Sequence, residues 1–203
     1  MNTIKSVEEL RALYPPLVEG ADLKQLSKLD GHMRKFISMS PFMVMATYGE
    51  DELCDSTPRG GTPGFVAVES DRLLLLPDWP GNNRLDSFEN ILKNSGVGLL
   101  FLIPGVNETL RINGKATISV EKELRERFIT KGKLPRTVVC IEVVEAYIHC
   151  AKALMRSQLW GDAHKIDRDK LPSMGQMMKD QIGFTGEPEP QAETEEQYKK
   201  FLY

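Results

Sequence analysis

The stretch DSTPRGGTPGF, Asp55 to Phe65, sets three glycines and two prolines around a single arginine, Arg59. It runs directly into Val66, Ala67 and Val68, an apolar trio with strand character. Such a segment is too flexible for a helix and too rich in proline for a central strand. Two readings stand side by side. It is a hairpin turn, or it is a place where backbone must come close to a ligand carrying negative charge.

Working outward, the neighbours alternate between strands and short turns. Residues 42–47 form an apolar strand, and the turn at 48–51 sends the chain back through Leu53 and Cys54. Residues 65–68 and 73–76 read as a second hairpin around 69–71, and 97–103 reads as a buried strand. In 110–120, Ile112, Gly114, Ala116 and Ile118 share one face, with Arg111, Asn113, Lys115 and Thr117 on the other. Residues 137–148 are rich in β-branched residues.

Helices sit around this series. Ser6 and Glu9 match a capping box for a helix to about Leu13, stopped by Pro15 and Pro16. Apolar residues at three- and four-residue spacing predict a helix over 22–37, with Gly31 inside it. Shorter helices are expected over 84–92, 121–129, 151–160 and 172–182. A parallel doubly wound fold needs helices between most strands, and this chain lacks them. The expected fold is mainly β, an antiparallel sheet or barrel with peripheral helices. One domain is expected over 1–185. The acidic, hydrophobe-poor segment 186–203 is expected to be a solvated tail, its end pinned by the residues from Lys199 to Tyr203 or left free.

Composition narrows the function. The chain has 203 residues, 41% hydrophobic and 27% charged, with net charge −3, which suits a single globular core. That charge leaves no general nucleic-acid footprint, although a local cationic pocket is compatible with it. The longest clean apolar run, 97–103, is far short of a membrane span, and the N-terminus carries no apolar signal region, so a cytoplasmic protein is expected. Cys54, Cys140 and Cys150 form no CxxC and read as buried thiols. His32, His149 and His164 are widely spaced, and no metal site is expected.

Several cations sit where chemistry is possible. Gly81-Asn82-Asn83-Arg84 reads as an asparagine cap on a helix, whose free N–H groups and Arg84 together make an anion site, or as an ordinary cap with a solvated arginine. Arg111 is either a solvated strand residue or a phosphate ligand. Lys152 and Arg156 share a helix face with Trp160 beyond them, which is a solvent face or a ring-stacking site. No GxGxxG and no P-loop is present.

The chain resembles the pyridoxamine 5′-phosphate oxidase-like, FMN-binding split-barrel family, and within it a bacterial branch. The resemblance rests on Ser56-Thr-Pro-Arg-Gly-Gly-Thr-Pro-Gly-Phe-Val66, Leu76-Pro-Asp78, Gly81-Asn-Asn-Arg84, Asn90-Ile-Leu92, Thr109-Leu-Arg-Ile-Asn-Gly114 and His149 to Trp160, across about residues 30 to 180. It implies an antiparallel split β-barrel, and a homodimer with FMN in each of two clefts between subunits. Thr57, Pro58, Arg59 and Gly60 would line the isoalloxazine ring, and Leu76, Pro77 and Asp78 would follow its edge. Asn82, Asn83, Arg84 and Arg111 would hold the phosphate, and Lys152 and Trp160 would arrive from the partner subunit. The expected activity is that of an FMN-dependent oxidoreductase with a small-molecule substrate, acting without nucleic acid or membrane.

The departures matter as well. The naming oxidase carries a basic, histidine-containing segment near its C-terminus, and this chain has no Arg-x-His there. Asn83-Arg84 replaces its adjacent basic pair. Oxidation of pyridoxamine phosphate itself is therefore not expected, and no general acid or base stands out. Two alternatives remain: a flavin or haem binding or storage protein, with His149 and His32 as the only plausible haem ligands, and a deazaflavin-dependent reductase.

Overall fold

The computed structural model describes residues 3–18, 20, 23–50, 53–183 and 185–202. Asp22, Asp51 and Tyr203, to which the sequence reading assigned a helix start, a turn and a pinned terminus, lie outside them.

Helix α1, Val7–Ala12, begins where predicted: the Glu9 N–H donates to Ser6 Oγ at 3.2 Å. Helix α2 spans Gly31–Met39, less than the predicted 22–37. Asp30 explains the late start, because its carboxylate accepts from the Met33 N–H at 2.8 Å and caps the helix there. From Leu23 to Asp30 the chain runs through turns and bends, with Leu26 in an isolated bridge to Ala146. Met33 and Ile37 of α2 are buried.

Seven strands follow: β1 Phe42–Tyr48, β2 Cys54–Gly60, β3 Ala67–Val68, β4 Leu73–Asp78, β5 Gly96–Leu102, β6 Thr109–Ser119 and β7 Thr137–His149. They form one sheet in the order β2-β1-β5-β6-β7-β4-β3, with every pair antiparallel. The expected antiparallel architecture is present. Among the described residues the ladder does not close on itself. The sheet nevertheless curls until β2, one edge, and β4, next to the other edge, meet through the side chains of Arg59 and Asp78.

Half of the opening motif is strand, not turn. Asp55 to Gly60 pairs with β1, and Pro58 is tolerated because β2 is an edge that need not donate outward. The turn itself is 62–65, closed by the Phe65 N–H donating to the Thr62 carbonyl at 2.9 Å, with Gly64 at φ +82°.

The core lies inside the curl. Met43, Met45, Leu99, Phe101, Leu110, Ile112, Ile141 and Val143 are buried there beneath α2 and α3, the latter Asp86–Lys93. A bulge between Asn113 and Gly114 gives β7 one extra residue, Val144, which is exposed. The bulge lets Val143 and Ala146 both point inward. Only glycine fits at 114, since a Cβ would lie 2.3 Å from the Glu142 carbonyl oxygen.

Beyond β6 come α4, Lys122–Glu126, then after β7 α5, Lys152–Ser157, α6, Met174–Ile182, and α7, Gln191–Phe201. Within the acidic segment, residues 191–201 are helical. Gln191 Oε1 accepts from the Met174 N–H at 3.1 Å, and Gly175 lets the Glu189 backbone approach so closely that a Cβ would lie 2.9 Å from it. Cys54 and Cys150 are exposed and Cys140 is partly buried, so the thiols are not the buried set that their spacing implied. Among the described residues no helix is long and apolar enough to cross a membrane, and no cluster of three metal-ligating side chains occurs.

Candidate functional site

The site is built where the curled sheet nearly meets itself. Arg59 points inward from β2, and its NH1 donates to Asp78 Oδ1 of β4 at 3.1 Å. The guanidinium carbon lies 5.4 Å from the centroid of the Phe88 ring of α3. The pair is largely shielded, with side-chain exposures of 27% and 14%. Burial pushes the Asp78 carboxyl above its ordinary range, against the opposing pull of Arg59 and Arg136.

A cleft opens on each side of this pair, and Trp79 lines both. The first, about 380 Å³, is bounded by 58–65 of the glycine-rich motif, by Leu76 and Pro77, and by 127–130 after α4. The second, about 390 Å³, is bounded by Asp55, Ser56 and Thr57 of β2, the loop 79–85, the start of α3, and Arg136 and Thr137. Both volumes fall in the range of small-molecule sites.

The loop from Trp79 to Leu85 is unusual in its backbone. Asn83 and Leu85 both have positive φ, 59° and 57°. Leucine rarely adopts this conformation, and such outliers gather at ligand-binding loops. The predicted asparagine cap does not form. Asn82 Oδ1 instead accepts from the Arg84 N–H at 3.1 Å, and α3 starts at Asp86. Asp86 takes the place where an anion would sit at that helix end: one oxygen accepts from the Ser87 N–H at 2.9 Å, the other from Arg84 Nε at 2.8 Å. These bonds hold the Asp86 carboxyl below its ordinary range, Arg84 contributing most.

Of the residues that the sequence singled out, Thr57, Pro58, Arg59, Gly60, Leu76, Pro77, Asp78, Asn82, Asn83 and Arg84 line one or both clefts. Arg111, Lys152 and Trp160 line neither. Arg111 lies on the outward face of β6, in the row of Leu100, Val44 and Pro58. It binds Glu145 at 3.3 Å and stacks over Tyr147 at 4.4 Å. His149 packs on Tyr147 with ring centroids 4.4 Å apart, and its pKa is lowered by burial and then by Arg111. Lys152 is exposed on α5, and Trp160 Nε1 donates to the Val106 carbonyl at 2.8 Å.

The sequence reading missed Trp79, Phe128, Arg136 and Thr137. None belongs to a motif. Arg136 and Thr137 reach the cleft only because Thr137 pairs with Asp78 across the β4–β7 ladder, a contact 59 residues long in sequence that no local pattern encodes.

The sequence profile of the pyridoxamine 5′-phosphate oxidase family matches residues 29–150, more than half of the chain. The chain belongs to this family. The matched region runs from the approach to α2 to the end of β7, and so contains both clefts and the Arg59–Asp78 pair. Solved structures agree on the fold. A Lactobacillus delbrueckii protein assigned as a pyridoxamine 5′-phosphate oxidase is 19% identical, with 61% of this chain and 98% of that one covered at a TM-score of 0.50. HupZ of Group A Streptococcus is 15% identical, with 59% of this chain and 93% of HupZ covered at a TM-score of 0.50. No curated protein matches the chain.

Proposed function

We propose that this member of the family is a flavoprotein that holds FMN in the paired clefts and serves as an oxidoreductase for a small molecule. One observation carries the reading. Two segments separated in sequence, around Arg59 and from Leu76 to Arg84, converge on one pair of adjoining clefts. Within the family these are the segments that the resemblance assigns to the flavin.

The residues fit such a group. Arg59 Nε is buried without a partner, so the arginine has a donor left over after it binds Asp78. Bound flavin supplies electron and hydride transfer. Arg59 would stabilise negative charge on the reduced ring. Thr57, Pro58 and Gly60 would bring β2 along the ring, with Leu76 and Pro77 at its edge. Burial raises the pKa of the Asp78 carboxyl, and Arg59 and Arg136 oppose that shift. Asn82, Asn83 and Arg84 would face the phosphate.

The active form is proposed to be a homodimer. Val44, Leu100, Leu102 and Tyr147 form a half-buried, mainly apolar outward face, and Met155, Leu159, Ile166 and Leu171 are exposed on the arm after β7. A second copy would cover both, bringing Lys152 and Trp160 to the other subunit's flavin and Arg111 to the interface. A cytoplasmic location accords with this reading.

The test is to purify the protein without added cofactor, release any chromophore and identify it by mass and fluorescence. FMN is the expected result. A deazaflavin would redirect the reading to the second cofactor class. A colourless protein that ignores added FMN would overturn it.

A further inference from the structure

The second cleft contains six charged side chains, Asp55, Arg59, Asp78, Arg84, Asp86 and Arg136. Five are occupied. Arg59 binds Asp78 at 3.1 Å, Arg84 binds Asp86 at 2.8 Å, and Asp55 accepts from Asn90 at 2.6 Å. Arg136 is exposed and its guanidinium makes no hydrogen bond or ion pair among the described residues. Its position is nevertheless fixed at the backbone: the Arg136 N–H donates to the Asp78 carbonyl at 2.9 Å. The next residue, Thr137, has a hydroxyl buried without a partner, as does Arg59 at Nε. Buried polar atoms in folded proteins are rarely left so, and two lining one cleft point to a missing ligand group.

We propose that Arg136 and Thr137 receive an anionic group of the cleft's ligand, a phosphate or a carboxylate, and that this pair outweighs Arg84 in recognising its charge. The contrast with Arg84 is physical. An anion at Arg84 must first displace Asp86, which holds both that guanidinium and the Ser87 N–H. At Arg136 nothing has to be displaced. The inference rests on the flavin reading for the place where a ligand sits. The anion has two sources, the flavin's own phosphate or a separate acidic small molecule.

The full chain is titrated with FMN, with riboflavin, which lacks the phosphate, and with inorganic phosphate followed by the NMR shift of the Thr137 amide. Arg136→Ala is expected to weaken FMN on the order of tenfold or more and riboflavin by less than about twofold. Thr137→Val should lose less, and Arg136→Lys should restore part of the FMN affinity. Because Arg136 is exposed and its guanidinium makes no hydrogen bond or ion pair among the described residues, the variant is expected to fold as the parent does, which its circular dichroism checks. If FMN binding is unchanged but a phosphate response at Thr137 is lost in Arg136→Ala, the anion is a separate molecule and the assignment stands. If the chain binds no flavin yet shows that Arg136-dependent response, the flavin reading fails and the anion site survives. Equal effects of Arg136→Ala on FMN and riboflavin, with no Arg136-dependent phosphate response, overturn the inference.

Discussion

Arg59 and Arg111 are near copies in local chemistry. Each is half-buried, bound to a carboxylate through one terminal nitrogen, set over an aromatic ring, and left with a buried, unpartnered Nε. They differ in what surrounds the carboxylate. Asp78 has Arg59 as its side-chain partner and sits between two clefts. Glu145 accepts from Arg111, from Asn113 at 2.6 Å and from Gln25, on the outward sheet face. The same pair is an adjustable element at one place and part of a cross-linked framework at the other. Tertiary surroundings, not the residue pair, decide which.

The strongest way to break this contrast is to remove the bulge that aligns the outward network. Asn113 opposes Glu145 in the last pair before the register shifts at Gly114. Gly114→Ala drives a Cβ into the Glu142 carbonyl and should cost about 3 kcal/mol or more, the range of overpacked core substitutions and beyond. Urea unfolding checks it. A cost under about 1 kcal/mol would show that the strand yields, and that the framework is less rigid than the glycine contact requires.

Arg59→Ala comes next. Removing one partner of a fully buried pair costs roughly 3–5 kcal/mol, and the 27% exposure of Arg59 brings the expectation down to about 1–3 kcal/mol. Arg111→Ala should cost less than about 1 kcal/mol, because Glu145 keeps Asn113 and Gln25. The two should also separate functionally: Arg59→Ala weakens flavin binding, and Arg111→Ala shifts the monomer–dimer balance in sedimentation. Equal costs, or flavin loss in both, would erase the distinction.

Much of this architecture is legible in the sequence, and the reasons are local. Apolar runs placed β1 and β5, alternation placed β6 and β-rich composition placed β7, each within a residue or two, and the Ser6 box located α1. Asp30 was not legible as a cap because the periodic leucines at 23, 26 and 29 continue the helical pattern across it. Prolines and glycines made 55–60 look like a turn, since nothing local shows that β2 is an edge, where Pro58 is harmless. The cleft residues with motif character were found. Arg136 and Thr137 were not, because cross-strand pairing alone brings them to Asp78. Arg111 was recognisable as a strand arginine, but which face it takes in the curled sheet depends on the full register.

The pH response sharpens the comparison through Asp78. Its folded pKa is raised, so the folded state binds the proton more tightly than the unfolded chain does. The Asp78 contribution to stability is therefore greatest below the ordinary Asp range and declines as pH rises from there through its folded pKa. Carboxyl carbon NMR should show Asp78 titrating above the ordinary value of about 3.9, and higher still in Arg59→Ala, where the cation is gone and burial remains. A downward shift in the variant would mean that water enters once Arg59 is removed.

The smallest stability effect is expected at Arg84, and it is informative for that reason. Its side chain is 77% exposed and that of its partner Asp86 is 43% exposed, so solvent screens the bridge and it should add little to stability. Asp86→Asn should be nearly as mild for stability, but it frees Arg84 from its counter-charge while a side-chain oxygen can still accept from Ser87. If the neutralised state of Arg84 is what limits anion binding there, Asp86→Asn should tighten FMN several-fold and leave riboflavin unchanged. Unchanged FMN affinity in both Asp86→Asn and Arg84→Ala would mean that the strained loop 79–85 is shaped for something other than the phosphate, and would leave charge recognition in this cleft to Arg59 and Arg136.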